Sequence, residues 1–490
     1  MAKVRYVCLS DLHLGEQDSL LTNITANGEV DVTAPSPSLV LLAECISEIL
    51  KHNGSGSAKP TLVLNGDVLE LALADMDKAA IAFSQFIALL MPKSGPLFDE
   101  IIFLPGNHDH HLWEMARETQ YLNYLCKLPD IAASKAPWHT TKVFMDMRGR
   151  DHLASRFLTG IARRFPHLER RGTEILTAYP NFGVLAESGR AVIFHHGHFI
   201  EPLYRLMSTA MSLIFDGEEL PPNVYELETD NFAWIDFFWS SLGRSGKAGE
   251  EVESIYEATN DARSLQVITD SLSANVAKRY RLPLLQFDWL EEKALSGLLR
   301  WLVIKQVAGK QERQRPVEEE GGIPLSATGR EGLKQYLRVF LRGQMETEGT
   351  GVPDAVSFVF GHTHKPFEDA MKCQGYGQAV KILNTGGWMV DTVEPDPPHG
   401  AAAVLVDEEL NVVSLRFFNE GRYVARVEEL LAPGQAHGPL YDHVAGIVKA
   451  ELEPWRSLGT TIAREVPRRA KLLESRIHRL QTNPGVRSRA

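Results

Sequence analysis

Lys3-Val4-Arg5-Tyr6-Val7-Cys8-Leu9-Ser10-Asp11-Leu12-His13 decides the reading of the chain. Lys3–Leu9 is a short apolar run with the composition of a strand, and it stops at Ser10-Asp11. Residues i and i+2 of an extended chain face the same way, so the Asp11 carboxylate and the His13 imidazole can converge on one point. Working outward, the arrangement returns four times. Thr61–Leu64 ends at Asn65-Gly66-Asp67, with Glu70 three residues on. Glu100–Leu104 ends at Gly106-Asn107-His108-Asp109, after Pro105. Ala191–Phe194 runs into His195-His196-Gly197-His198, and Ala355–Phe360 into Gly361-His362-Thr363-His364. Polar residues gathered where strands stop and loops begin mark a candidate site.

Between these strands the first two hundred residues carry helical spacing, at Ser38–His52 and Ala79–Leu90. Phe182–Glu187 and Ala191–Phe194 pair as a hairpin turning at Ser188-Gly189. Strand signals resume at Lys381–Leu383, Ala401–Val406 and Val412–Phe418. Strands that alternate with helices and later follow one another predict a layered α/β sandwich. The rhythm breaks between about 200 and 352, where helical spacing rich in Trp and Phe predicts an insertion. The expected division is therefore a core of 1–200 and 353–425, a helical insertion over 201–352, and a helical, basic tail over 426–490.

Length and composition agree with a soluble globular protein of this kind. The chain has 490 residues, 44% hydrophobic and 23% charged, and no apolar run long enough to span a bilayer. Its start lacks the apolar stretch of a signal peptide, so the expected compartment is the cytoplasm. The formal charge is −12, opposite to the balance of a global nucleic-acid binder, so nucleic acid is not the expected partner. Four scattered cysteines form no CxxC pair and suggest neither a zinc knuckle nor a disulfide framework.

Taken singly, each motif has an ordinary reading as a turn or loop. Together, imidazole, carboxylate and amide oxygen suit manganese, iron or zinc better than calcium, which takes oxygen ligands. The set DxH, GD, GNH, H and GHxH resembles the calcineurin-like metallophosphoesterase superfamily. The likeness covers roughly 1–200 and 355–420, and includes Asn384-Thr385-Gly386-Gly387-Trp388, similar to the NTGxW of bacterial members. It implies an α/β; four-layer α/β/β/α metallophosphoesterase sandwich with a large helical lid insertion and two divalent metal ions, manganese first among them. It also implies that Asp11, His13, Asp67 and His364 hold one metal. Asp67, Asn107, His196 and His362 would hold the other, with Asp67 bridging. The implied reaction is hydrolysis of a phosphoester or pyrophosphate bond by attack of a metal-bridged hydroxide. His108 would be the catalytic histidine and Glu70 its expected carboxylate partner, with Asp109 the adjacent alternative. Two divalent ions against Asp11 and Asp67 leave about two positive charges, suited to a phosphoryl oxyanion.

His195 is expected to face away from the site, His198 to be ligand support or plain surface, and His110 and His111 to cover a loop. The insertion's position resembles that of the lid in UDP-diacylglucosamine pyrophosphohydrolases. Those enzymes carry Arg where His108 stands and have a shorter lid, so the chemistry carries over and the lipid substrate does not. Tyr204, Met207, Met211 and Ile214 form one apolar stripe of the insertion, and Phe287, Leu290, Ala294, Leu298 and Trp301 another. Each is a small core or an apolar cleft. The tail's arginines, among them Arg464, Arg468, Arg469 and Arg476, belong either to a solvated helix or to a peripheral membrane contact. The expected substrate is a phosphorylated small molecule or lipid. A repair-type DNA nuclease and a non-catalytic scaffold on the same fold are the alternatives.

Overall fold

The computed structural model describes residues 3–54, 58–214, 220–241, 312–314, 323–432 and 434–482. The run that opens the chain is β1 (Val4–Leu9), and it lies inside a seven-stranded sheet. On one side it is followed in parallel register by β2 (Thr61–Asn65), β3 (Glu100–Leu104) and β4 (Ile175–Thr177). On its other side runs β10 (Gly400–Asp407), antiparallel, then β11 (Val412–Asn419) and β12 (Arg426–Glu428). The second sheet has five strands. In spatial order they are β5 (Asn181–Leu185), β6 (Arg190–His195), β7 (Ala355–Phe360), β9 (Val380–Asn384) and β8 (Phe367–Met371).

The inner faces of the two sheets meet in a dry layer that includes Cys8, Val63, Ile102, Phe194, Val359 and Val404. The outer face of the first sheet is covered by α1 (Pro37–Lys51), α2 (Met76–Leu90) and the C-terminal helices. Helix α1 shows why: Ser36 caps Leu39 N–H at 3.1 Å and Pro37 opens the first turn. Leu39, Leu42, Ile46 and Ile49 then recur at helical spacing and are buried. The outer face of the second sheet is covered by residues of 199–241 and 325–345. The layers are α/β/β/α, as expected.

Two boundaries read from the sequence cut through packed structure. The described parts of 201–352 do not form a core of their own. Tyr204, Leu227, Trp239, Leu333, Tyr336 and Phe340 share one apolar cluster with Phe358, Phe360 and Ile382 of the second sheet. The Phe287–Trp301 stripe lies outside the described residues. The Tyr204–Ile214 stripe is not one face, because Tyr204 is buried while Met211 is 43% exposed. In the tail, β12 completes the first sheet, and the helix Trp455–Thr482 buries Trp455, Leu458, Ile462 and Val466 in the core. Two of its arginines are turned into the fold, while Arg464 keeps 68% side-chain exposure. Arg469 is 1% exposed and donates to the carbonyls of Ser19 and Thr22, while Arg476 pairs with Asp18. Among the described residues no helix is long and apolar enough to cross a membrane.

Candidate active site

Because β1, β2 and β3 run parallel, Asp11, Asp67 and Asn107 emerge at one end of the first sheet. The parallel pair β6 and β7 delivers His196 and His362 beside them. Asn65 Nδ2 ties the two edges together by donating to the His195 carbonyl at 2.9 Å. Asp11, His13 and His364 bring ligand atoms within 4.8 Å of one another, as do Asp67, His196 and His362. Asp67 stands between the groups. Its Oδ1 accepts from His108 N–H at 2.8 Å, while Oδ2 lies 3.2 Å from His196 Nε2 and 3.8 Å from His13 Nε2. Asn107 Oδ1 is 3.1 Å from the same His196 nitrogen. The structure thus gathers all seven expected ligands, every one of them buried.

The imidazoles are oriented from behind. His196 Nδ1 donates to the Asn65 carbonyl at 3.1 Å, which leaves the Nε2 lone pair for Asp67's side. His13 Nδ1 meets Glu70 Oε2 at 2.8 Å, and its buried Nε2 has no hydrogen-bond partner among the described residues. His364 Nδ1 meets Asp391 Oδ2 at 2.5 Å and turns Nε2 toward Asp11 Oδ1, 3.4 Å away. His362 Nε2 meets Glu201 Oε1 at 2.6 Å. One ring nitrogen held by an acceptor is the arrangement that fixes metal-ligating histidines. Glu201 and Asp391 were not anticipated. Each is a lone acidic residue in a loop, with no i+2 partner or glycine beside it to mark its role.

Backbone strain singles out the same positions. Asp11, His13, Asp67, His362 and His364 have φ of 51°, 43°, 50°, 68° and 55°, in the left-handed region that residues with a Cβ seldom adopt. Such conformations cost on the order of 1 kcal/mol or more each and cluster at functional sites. The motif glycines answer a different need, close approach. A Cβ on Gly106 would run into the Asp67 carboxylate, and one on Gly361 into that of Asp11. An orphaned inward nitrogen, mixed nitrogen and oxygen donors, and ligands held in strained backbone fit a pair of transition-type cations.

Burial disfavours protonated imidazole, yet Asp67 and Asp11 hold His196 up to about 9, and Asp391 with Asp11 holds His364 up to about 10. Burial would raise Glu70, but the His108 and His13 rings bring it down to about 2. Beside Asp11 and Asp67, three further carboxylates, Glu70, Glu201 and Asp391, stand against the candidate ligands His13, His362 and His364.

His108 Nδ1 lies 2.9 Å from the Glu70 carboxylate. Burial lowers its pKa, but Glu70 and Asp67 outweigh that and the net direction is up. Asp109 plays a different part. Its carboxylate accepts from the amides of Gly106 at 2.7 Å and Val68 at 2.8 Å, fastening the GD loop to the GNH loop. Burial and Asp67 push it up to about 7. His195 faces away and packs its ring 4.3 Å from that of Tyr336. His198 is buried, with Nε2 3.2 Å from the Tyr179 hydroxyl and its ring 5.6 Å from that of His196, so it is not plain surface. His110 and His111 do more than cover a loop: they reach Glu228 at 2.9 Å and Asp236 at 3.1 Å, pinning the start of helix α3 (His111–Leu125) to residues 224–241.

Residues 4–210 match the family model described as calcineurin-like phosphoesterase. That stretch is thus similar to the family, and it holds the strands that lead to Asp11, Asp67, Asn107 and His196. His362 and His364 lie beyond the matched residues, and the fold returns them to the site. A solved dimetal phosphatase from Danio rerio aligns over 87% of this chain and 99% of its own, at 12% identity and a TM-score of 0.30. No curated protein matches the chain.

Proposed function

We propose that the chain is a dinuclear metal-dependent phosphohydrolase. Asp11, His13, Asp67 and His364 hold one cation in this reading, and Asp67, Asn107, His196 and His362 the other. The observation that carries it is Asp67 Oδ2, placed between inward-facing nitrogens of His196 and His13 at 3.2 and 3.8 Å. Manganese, iron or zinc suits the donor set. When bound, the ions supply Lewis-acid charge and an acidified water as nucleophile.

The chain's own residues supply the remainder. Glu70 engages Nδ1 of His108, so the proton exchanged in the reaction is the one at Nε2. With its pKa raised by Glu70 and Asp67, His108 offsets charge on the phosphoryl group or passes a proton to the departing oxygen. Residues 201–352 act as the lid. Supporting this, Glu201 touches His362, and the Tyr204 ring stands 5.2 Å from the His362 ring. The substrate is a phosphorylated small molecule held beneath that lid.

The test pairs metal analysis with turnover of p-nitrophenyl phosphate and its bis-ester in manganese. Wild type should carry two ions per chain. Asp67→Asn should lose metal and roughly 100-fold or more in activity. His108→Gln should keep both ions and lose about 100-fold or more. Activity unchanged in both variants would defeat the reading.

A further inference from the structure

Arg313 enters the site from residues 312–314, a short described piece of the insertion. Its backbone is tied down from several directions. The Arg313 carbonyl accepts from His399 Nε2 at 2.5 Å, and the neighbouring Glu312 carbonyl accepts from the buried Lys365 ammonium at 2.8 Å. Glu312 N–H donates to Glu201 Oε2 at 3.1 Å, and the Glu312 carboxylate accepts from the Ser326 hydroxyl at 2.7 Å. The anchors include Glu201, which also orients His362, so the segment is fastened to the ligand shell itself.

The side chain is much less well satisfied than its backbone. Arg313 Nη1 has Asp391 Oδ1 at 3.8 Å, too far for a hydrogen bond, and its buried Nε has no partner. Other buried arginines here with an unpartnered Nε do better. Arg117, Arg205 and Arg416 each hold a side-chain acceptor with a terminal nitrogen, at 2.6, 2.5 and 2.5 Å. Arg313 has no such bond among the described residues, although Asp391, Tyr204, Glu70 and Glu201 all lie within electrostatic reach. At 16% side-chain exposure its one ion pair among the described residues is the long contact to Asp391. A guanidinium with five donors, kept in that condition, is set for an acceptor that arrives from outside.

The charge count names that acceptor's chemistry. Five carboxylates, Asp11, Asp67, Glu70, Glu201 and Asp391, stand on or behind the ligand residues, so a phosphoryl anion entering there meets negative charge. Arg313, within electrostatic reach of Asp391, Glu70 and Glu201, is a cation placed to offset it. We propose that Arg313 is a phosphate-binding residue that takes a non-bridging oxygen of a terminal phosphoryl group and so favours phosphomonoesters over diesters. A monoester offers three non-bridging oxygens and a diester two, so only the former has one to spare once the metals are engaged. This rests on the dinuclear reading given above.

The experiment measures inorganic phosphate binding to the manganese-loaded full chain by calorimetry, with metal content determined alongside. Arg313→Ala should keep two ions and bind phosphate at least tenfold more weakly, and Arg313→Lys should recover part of the loss. With turnover as a second readout, Arg313→Ala should raise KM for p-nitrophenyl phosphate at least fivefold more than for the bis-ester. Phosphate affinity unchanged in a metal-replete Arg313→Ala protein would overturn the proposal. Loss of metal in both variants would also overturn it, making Arg313 a support for Asp391 and His364. Wild type that retains no metal would instead defeat the dinuclear reading itself, and this inference with it.

Discussion

Glu70 is asked to orient two rings at once. Its carboxylate meets His13 Nδ1 at 2.8 Å and His108 Nδ1 at 2.9 Å, and accepts from the amides of Ala72 and Leu73 at 2.8 and 3.0 Å. Glu70→Gln keeps the shape but removes the charge and leaves one oxygen to serve both imidazoles. Activity should fall roughly 10–100-fold, with reduced metal affinity measurable by chelator titration. A second buried carboxylate answers to pH. Burial pushes Glu420 up to about 7 from 4.5, only partly offset by the Asp396 amide that donates to it. Between those values the unfolded chain has released this proton and the folded chain has not. Stability therefore falls as pH rises from about 4.5 to 7, by about 1–3 kcal/mol from this group. Glu420→Gln cannot ionise, so urea unfolding at pH 5 and pH 8 should show wild type losing that increment and the variant lacking it.

The C-terminal helix Trp455–Thr482 is the element whose role differs most from its composition. Its basic residues suggest a solvated or lipid-facing rod, yet Arg469 is fixed by Ser19, Thr22 and the buried Glu465. Arg469→Ala would strand the Ser19 and Thr22 carbonyls it now serves, while Glu465 keeps Arg468 at 3.2 Å. About 1–3 kcal/mol of stability should be lost in denaturant titration, with the metal-ligand residues untouched. Composition misled here because an arginine's destination depends on what the chain elsewhere brings to it. The loop at Ser19–Thr22 is far away in sequence. The same limit explains the strands that went unread: Ile175–Thr177 and Arg426–Glu428 are three residues long, and Phe367–Met371 carries Glu368 and Asp369. None has an apolar run, and each exists because a neighbouring strand offers a ladder.

Across the whole molecule, what was legible is what local chemistry marks. Asp11, Asp67, Asn107, His196 and His362 each follow a strand whose apolar run can be seen, beside a glycine or an i+2 partner. Glu201, Asp391 and Arg313 carry no such mark, because their positions are set by how the loops return over the sheet ends. How the described parts of 201–352 pack was not legible for a related reason. Residues after His196 were read as leaving the sandwich, whereas those described first build its fourth layer on the second sheet.

The place of β1 has a consequence for how the protein is made. β1 is an interior strand, bordered on one side by β2 and on the other by β10, which begins only at Gly400. Until β10 has been synthesised, nearly four hundred residues later, β1 presents one bare hydrogen-bonding flank. Nascent chains paused before Gly400 should therefore be targets for strand-capping chaperones and prone to pairing with one another, and emergence of β10 is what covers that flank.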